Sequence, residues 1–284
     1  MRLLAGLVKA LCWLLATLAL AVAVPAGWAQ ADIVDEDGYA RLAERAARDP
    51  ALQAAMASEL TTRAAALINE HRFQVDSATV HDVAAAFTAG PSFPPLFAET
   101  NRAAHAWLFT APSSGGERWT VDVAPMLRET SIRQLLNSYH VQVPDTLRVP
   151  VTVSGPVHQG ELHRAAVWGP WVSLGAALGC VVFALITLAA ARGRGRALTS
   201  LGVSALLVGA AGWAGIEIGR GYLNEQLNRT TGDIRRMADV LVGHAEDSLH
   251  RWLNVTLAAG AALVVVGFLV AMIGGVLGKS RRTG

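Results

Sequence analysis

The chain has 284 residues, 52% of them hydrophobic and 16% charged, with 24 basic and 22 acidic side chains for a net charge of +2. So apolar a composition excludes an ordinary soluble enzyme, and the absence of a broad basic face excludes nucleic acid as a partner. Both cysteines, Cys12 and Cys180, fall inside apolar stretches, so no disulfide framework is expected to hold the polar regions.

The first apolar block, Leu3 to Val24, is long enough to cross roughly 30 Å of hydrocarbon as a helix. Arg2 and Lys9 give it a positive start, and Ala29-Gln30-Ala31 ahead of Asp32 matches an A-x-A cleavage pattern. Residues 1–31 therefore read either as a signal peptide or as a transmembrane anchor. Counted from Leu3, the apolar run is long enough to span fully, which favours the anchor.

A polar segment, residues 32–166, follows. A short helix is expected from Asp37 to Ala47, with Tyr39, Leu42 and Ala46 on its apolar side. Asp49-Pro50 supplies an N-cap followed by proline at the first helical position, and Leu52, Met56, Leu60, Ala64 and Leu67 recur on one face after it. A third helix runs from Ser77 to Phe87 and stops at Gly90-Pro91; a fourth starts at Pro94-Pro95 and reaches Phe109. Glu117–Val123 and Leu147–Val153 are β-prone, the second with Pro150 as an edge signal, and Pro125 to Asn137 returns to helical spacing.

Residues 167–218 hold the second and third apolar blocks, joined by a short loop with Arg192, Arg194 and Arg196. Residues 219–252 carry an apolar stripe through Leu223, Leu227, Ile234, Met237, Leu241, Ala245 and Leu249, which predicts an amphipathic helix broken near Thr231-Gly232. Its charge is balanced, unlike that of lipid-binding helices, so packing against the 32–166 domain is expected. Residues 253–284 form the fourth block and a tail with Lys279, Arg281 and Arg282.

Charge sets the orientation. The three basic flanks hold eight basic residues and no acidic one, whereas residues 32–166 hold 11 arginines against 16 acidic side chains. By the positive-inside rule both termini are cytoplasmic and the two longer polar segments lie outside. Trp28, Trp168, Trp171 and Trp252 then fall at the outer interface, where aromatic belts form. The expected architecture is a mainly α membrane protein, a four-helix transmembrane bundle with a mostly helical extracytoplasmic domain carrying a small β element.

Within the external domain the best polar constellation is Asn101, Arg102 and His105. Asn101 and His105 are one helical turn apart, so both could bond to a common group, and Asp122 could approach from the following strand to orient the imidazole. A nucleophile is missing, because Ser113 and Ser114 sit in a glycine-rich turn rather than a strained elbow. A buried network tying helix to strand is the expectation, with no catalytic residue. All eight histidines (71, 81, 105, 140, 158, 163, 244 and 250) fall outside, but none lies in a metal-ligand motif, so neither metal nor other cofactor is implied.

The spans carry small residues at helical spacing: Gly175 and Gly179 in the second, Ala211, Gly215 and Gly219 in the third, Gly267, Ala271 and Gly275 in the fourth. Such faces let helices pack closely, within one bundle in the first instance and by self-association or with a partner's helix as the alternative. Ionisable groups are confined to Lys9 and Glu217, both near span ends, which disfavours a transport path.

Three stretches resemble an actinobacterial, mycobacterial-type family of integral membrane proteins of unknown function. They are "VDEDGYARLAERAARDPALQAAMASEL" (Val34–Leu60), "PPLFAETNRAAHAWL" (Pro94–Leu108) and "WTVDVAPML" (Trp119–Leu127). The matching stations are Asn101, Arg102, Ala104, His105, Asp122 and Pro125, with Phe97 where that family often has tryptophan. The resemblance implies location in the cell membrane and a retained first span, but no substrate. The function expected is a non-enzymatic scaffold or interaction module whose partners are the lipid bilayer and an envelope protein or cell-wall component. An envelope enzyme or metal-dependent sensor is the alternative, and a channel or transporter subunit the third.

Overall fold

A computed structural model describes residues 2–70, 76–111, 120–122, 148–150, 159–191, 193–227 and 232–280. Eight α-helices account for nearly all of them: α1 (Arg2–Ala29), α2 (Glu36–Ala46), α3 (Pro50–Glu70), α4 (Ser77–Ala89), α5 (Phe93–Phe109), α6 (His163–Ala190), α7 (Arg194–Leu227) and α8 (Gly232–Ser280). A π-helical turn, Gln30–Val34, follows α1, and β1 (Thr120–Asp122) pairs antiparallel with β2 (Arg148–Pro150). The helix expected over Pro125–Asn137 and the break at Thr231 lie outside the described residues.

Local chemistry explains the helix ends. The Asp35 side chain accepts from Gly38 N and caps α2, Asp49 Oδ1 accepts from Ala51 N at the start of α3, and Asp76 caps α4 through Ala78 N. Gly90 closes α4, and the prolines at the first turn of α5 cost it no backbone bond. Gly160 (φ 74°) and Gly232 (φ 69°) take left-handed backbone, which glycine adopts freely; Gly232 begins the 49-residue helix α8.

The molecule divides into two compact units. The first comprises residues 31–166 and 222–246, the second residues 1–30, 167–221 and 247–284. In the first unit α3 packs on α4 and α2 on α5. Its core is Ala46, Ala47, Leu52, Phe87 and Phe93, flanked by Met56, Leu60, Leu96 and Phe97. Met237, Val240 and Leu241 of α8 pack against the same core. Phe93 meets Phe87 edge-on, with ring centroids 5.7 Å apart, in the geometry aromatic quadrupoles favour.

The second unit contains the long apolar helices. Among the described residues, four helices are long and apolar enough to cross a membrane: residues 6–34, 163–190, 194–222 and 232–273. Close packing is concentrated between α7 and α8, which run antiparallel. A Cβ added at Gly195 would lie 2.6 Å from Gly267 O, and one added at Gly202 would lie 2.7 Å from Gly260 O. Gly209 and Gly212 receive the side chains of Leu257 and Leu253. Helix α1 joins this pair through Trp13 Nε1, which donates to Ser200 O at 3.1 Å, and Thr17 Oγ1, which donates to Ser204 Oγ at 2.8 Å.

Within this chain, most of the small-residue positions read from sequence do not meet a neighbouring helix. Space around Gly175, Gly215 and Gly219 is open, Gly179 meets only Phe183 of its own helix, and Ala211 is exposed. Gly267 does pack closely, and the Ala271 backbone lies against Gly195; the surroundings of Gly275 lie outside the described residues. A four-residue spacing puts small residues on one stripe, but the helix crossing decides which stripe is used. The one used here repeats every seven residues through Gly195, Gly202 and Gly209 on α7 and through Gly260 and Gly267 on α8.

Alanine at Gly202 is therefore expected to destabilise the bundle by about 1–3 kcal/mol, because the new methyl meets backbone. Alanine at Gly215 meets open space and is expected to be neutral or, through helix propensity, stabilising by up to about 1 kcal/mol. Thermal unfolding of the two full-length variants in one detergent compares them directly.

Candidate functional site

Among the described residues, the candidate polar cluster lies where α5 crosses the π-turn and the start of α2. Helix α5 presents Arg102, His105 and Phe109 at three- and four-residue spacing, so the three side chains follow one another along one side of it. Arg102 spends its whole guanidinium on carboxylates: Nη2 lies 2.8 Å from Asp37, Nη1 2.8 Å from Glu99 and Nε 3.3 Å from Glu36. The hydrogen bonds to Asp37 and Glu99 hold this cation more firmly protonated than usual. Glu36 and Asp37 occupy the first turn of α2, where negative charge also complements the helix dipole.

His105 is buried, 5% exposed. Its Nε2 lies 3.0 Å from the carbonyl oxygen of Ile33, which can only accept, so Nε2 carries a proton and donates. That carbonyl belongs to the last turn of the π-helix, where the helix itself supplies no partner. The imidazole stacks on Phe109, with centroids 4.1 Å apart and planes at 12°, and Tyr39 leans on it at 5.4 Å. Burial pushes the Tyr39 phenol above its ordinary pKa.

Asn101 is placed differently from the expectation. Its amide Nδ2 donates to Phe97 O, one turn back on its own helix, at 2.8 Å, and shares no group with His105. Asp122 lies on β1, and its side chain is outside the described residues. The observed tie thus runs from α5 to the π-turn and α2. Tyr39, Ile33, Glu36, Asp37 and Glu99 are its further members; the sequence signals for the Arg102 partners were Glu99, three residues earlier on the same helix, and the acidic pair before "GYARL".

Other histidines are engaged one by one. His81 Nδ1 lies 3.3 Å from Thr61 Oγ1, His163 Nδ1 donates to Phe109 O, His244 Nδ1 donates to Val240 O, and His250 stacks on Trp213 at 3.9 Å. His71, His140 and His158, with Ser113 and Ser114, lie outside the described residues. Among the described residues no three of His, Cys, Asp and Glu gather to hold a metal ion. Glu217 sits 3.7 Å from Arg220 on the same helix.

The chemistry of the α5 cluster is that of a brace. An imidazole whose Nε2 proton is given to a carbonyl, and which stacks on Phe109 beside a tilted Tyr39, holds α5 against the π-turn. Arg102 fixes the same crossing from the rim, a half-exposed position where ion pairs contribute about 1 kcal/mol or less each. No family model matches the chain, and no curated protein or solved structure is similar to it.

Proposed function

We propose that the chain is a non-enzymatic membrane protein of the cell envelope, a scaffold or interaction module that displays its first unit on the extracytoplasmic side. The observation that carries this reading is the commitment of the polar side chains of the α5 cluster to structural bonds. His105 serves Ile33 O, Arg102 serves three carboxylates and Asn101 serves its own helix. The set stiffens a helical body and leaves the surface of that body to meet a partner.

Orientation rests on the basic flanks. Arg2, Lys9, the arginines between the second and third spans and the basic tail keep both termini in the cytoplasm. The first span is retained as an anchor in this reading, as the resemblance to the actinobacterial membrane family implies; an intact mass lacking residues 1–31 would overturn that part. The partner is an envelope protein or a cell-wall component.

Crosslinking in native cells, followed by mild-detergent purification and mass spectrometry, tests the function. A reproducible partner attached within residues 31–166 supports the scaffold, and self-crosslinks alone count against it. His105→Ala leaves the Ile33 carbonyl without its donor and is expected to cost about 1–3 kcal/mol of stability. A hydrolytic activity of the purified protein that His105→Ala abolishes while the melting temperature stays unchanged would overturn the non-enzymatic reading.

A further inference from the structure

The second unit contains a cavity of about 410 Å³ bounded by α1, α6, α7 and α8. Small side chains make the space: Ala16, Cys180, Ala184, Ser204, Ala205 and Ala259 all line it. Leucines from all four helices complete the wall, and no charged side chain lines it. Along α6 it runs from Cys180 to Leu188 and along α8 from Val255 to Leu263. Eight residues of helix correspond to about 12 Å, so the cavity is a slot parallel to the helices rather than a round chamber.

We propose that this slot is a binding site for one acyl chain of a bilayer lipid. Three observations select that occupant. The slot lies wholly within the stretches long and apolar enough to cross a membrane. It is continuous with the outward surface of those helices: Val255, on its wall, is 69% exposed. Its lining is almost wholly apolar and its two hydroxyls, Ser204 and Thr256, donate to Ser200 O and Trp252 O, so water finds too few polar partners there, while an unfilled apolar void forfeits dispersion contacts. A hydrocarbon chain restores those contacts and is the apolar molecule the surroundings hold in bulk.

Helix α6 shows why the slot stays open. Only Thr187 is buried among its described residues, and Leu174, Leu178 and Leu185 are more than half exposed. Glycines draw α7 and α8 together, whereas Gly175 of α6 faces open space and Gly179 meets only its own helix. Helix α6 therefore stands off from that pair, and the inserted chain packs in the gap as part of the bundle.

Full-length protein reconstituted in phosphatidylcholine vesicles doped with a phosphatidylcholine carrying a diazirine on its acyl chain provides the test. After irradiation, peptide mapping is expected to find label concentrated on lining residues such as Ala184, Ser204 and Ala259. In Ala184→Phe and, independently, Ala259→Leu, which fill the slot, that label is expected to fall several-fold. Leu178→Phe, on the exposed face, is expected to leave it unchanged. Label spread evenly over exposed leucines of α6 in the wild-type protein, or undiminished slot label in both filled variants, would overturn the proposal. The wild-type map decides the matter even if a filled variant fails to fold.

Discussion

Alanine at Gly38 is expected to cost at least about 3 kcal/mol, beyond the upper end of ordinary overpacking. The added Cβ would overlap the carbonyl oxygen of Ala31 and lie 2.8 Å from its carbon. Both are backbone atoms of the π-turn, so no side chain can swing aside. Relief requires moving α2 off the turn, and that strains contacts tied to the same crossing: the Asp35 cap on Gly38 N, the His105 bond to Ile33 O and the Arg102 pairs with Glu36 and Asp37. Helix propensity alone would favour alanine by about 1 kcal/mol, which makes the sign of the result informative. Gly243, also helical and with nothing within 4 Å, is the control. Thermal unfolding of full-length Gly38→Ala far below Gly243→Ala is expected; equal melting temperatures would mean that α2 does not lie against Ala31.

Phe87→Ala is expected to cost about 3–5 kcal/mol, the range for emptying a large aromatic site in a packed core. The side chain is 1% exposed and sits among Leu52, Ala46, Ala47 and Phe93. Its neighbours come from α2, α3 and α5, so collapse around the hole would need several helices to move together. The edge contact with Phe93 disappears as well. Denaturant unfolding followed by tryptophan fluorescence measures the loss. Exposed Phe268 offers the comparison: Phe268→Ala, at a side chain 61% exposed, is expected to change stability far less.

Helix starts were legible because caps and prolines act within one or two residues. Asp49-Pro50 marks the start of α3, and Gly90-Pro91 the end of α4, with no help from the rest of the chain. The four long apolar helices were legible for the same reason, since length and composition are local properties. The partners of the polar residues were not. His105 engages a main-chain oxygen 72 positions earlier, and a carbonyl carries no side-chain signature. Asn101 and His105 have the spacing of a shared site, yet Asn101 turned back to its own helix, the nearer acceptor. The π-turn that exposes Ile33 O depends on how α2 docks and has no local marker.

The glycine pairs of α7 and α8 carry a further consequence. Each helix repeats its glycine after seven residues, so the smooth strip one helix offers the other looks the same when displaced by one repeat, about 10.5 Å. A slip that set Gly202 against Gly267 and Gly209 against Gly260 would again bring glycine to glycine. Closeness and alignment are therefore encoded by different residues. Leu253 seats over Gly212 and Leu257 over Gly209, so these side chains act as the teeth that make one step of a periodic track the home position. Removing them would leave the helices in contact but without a unique place to stop.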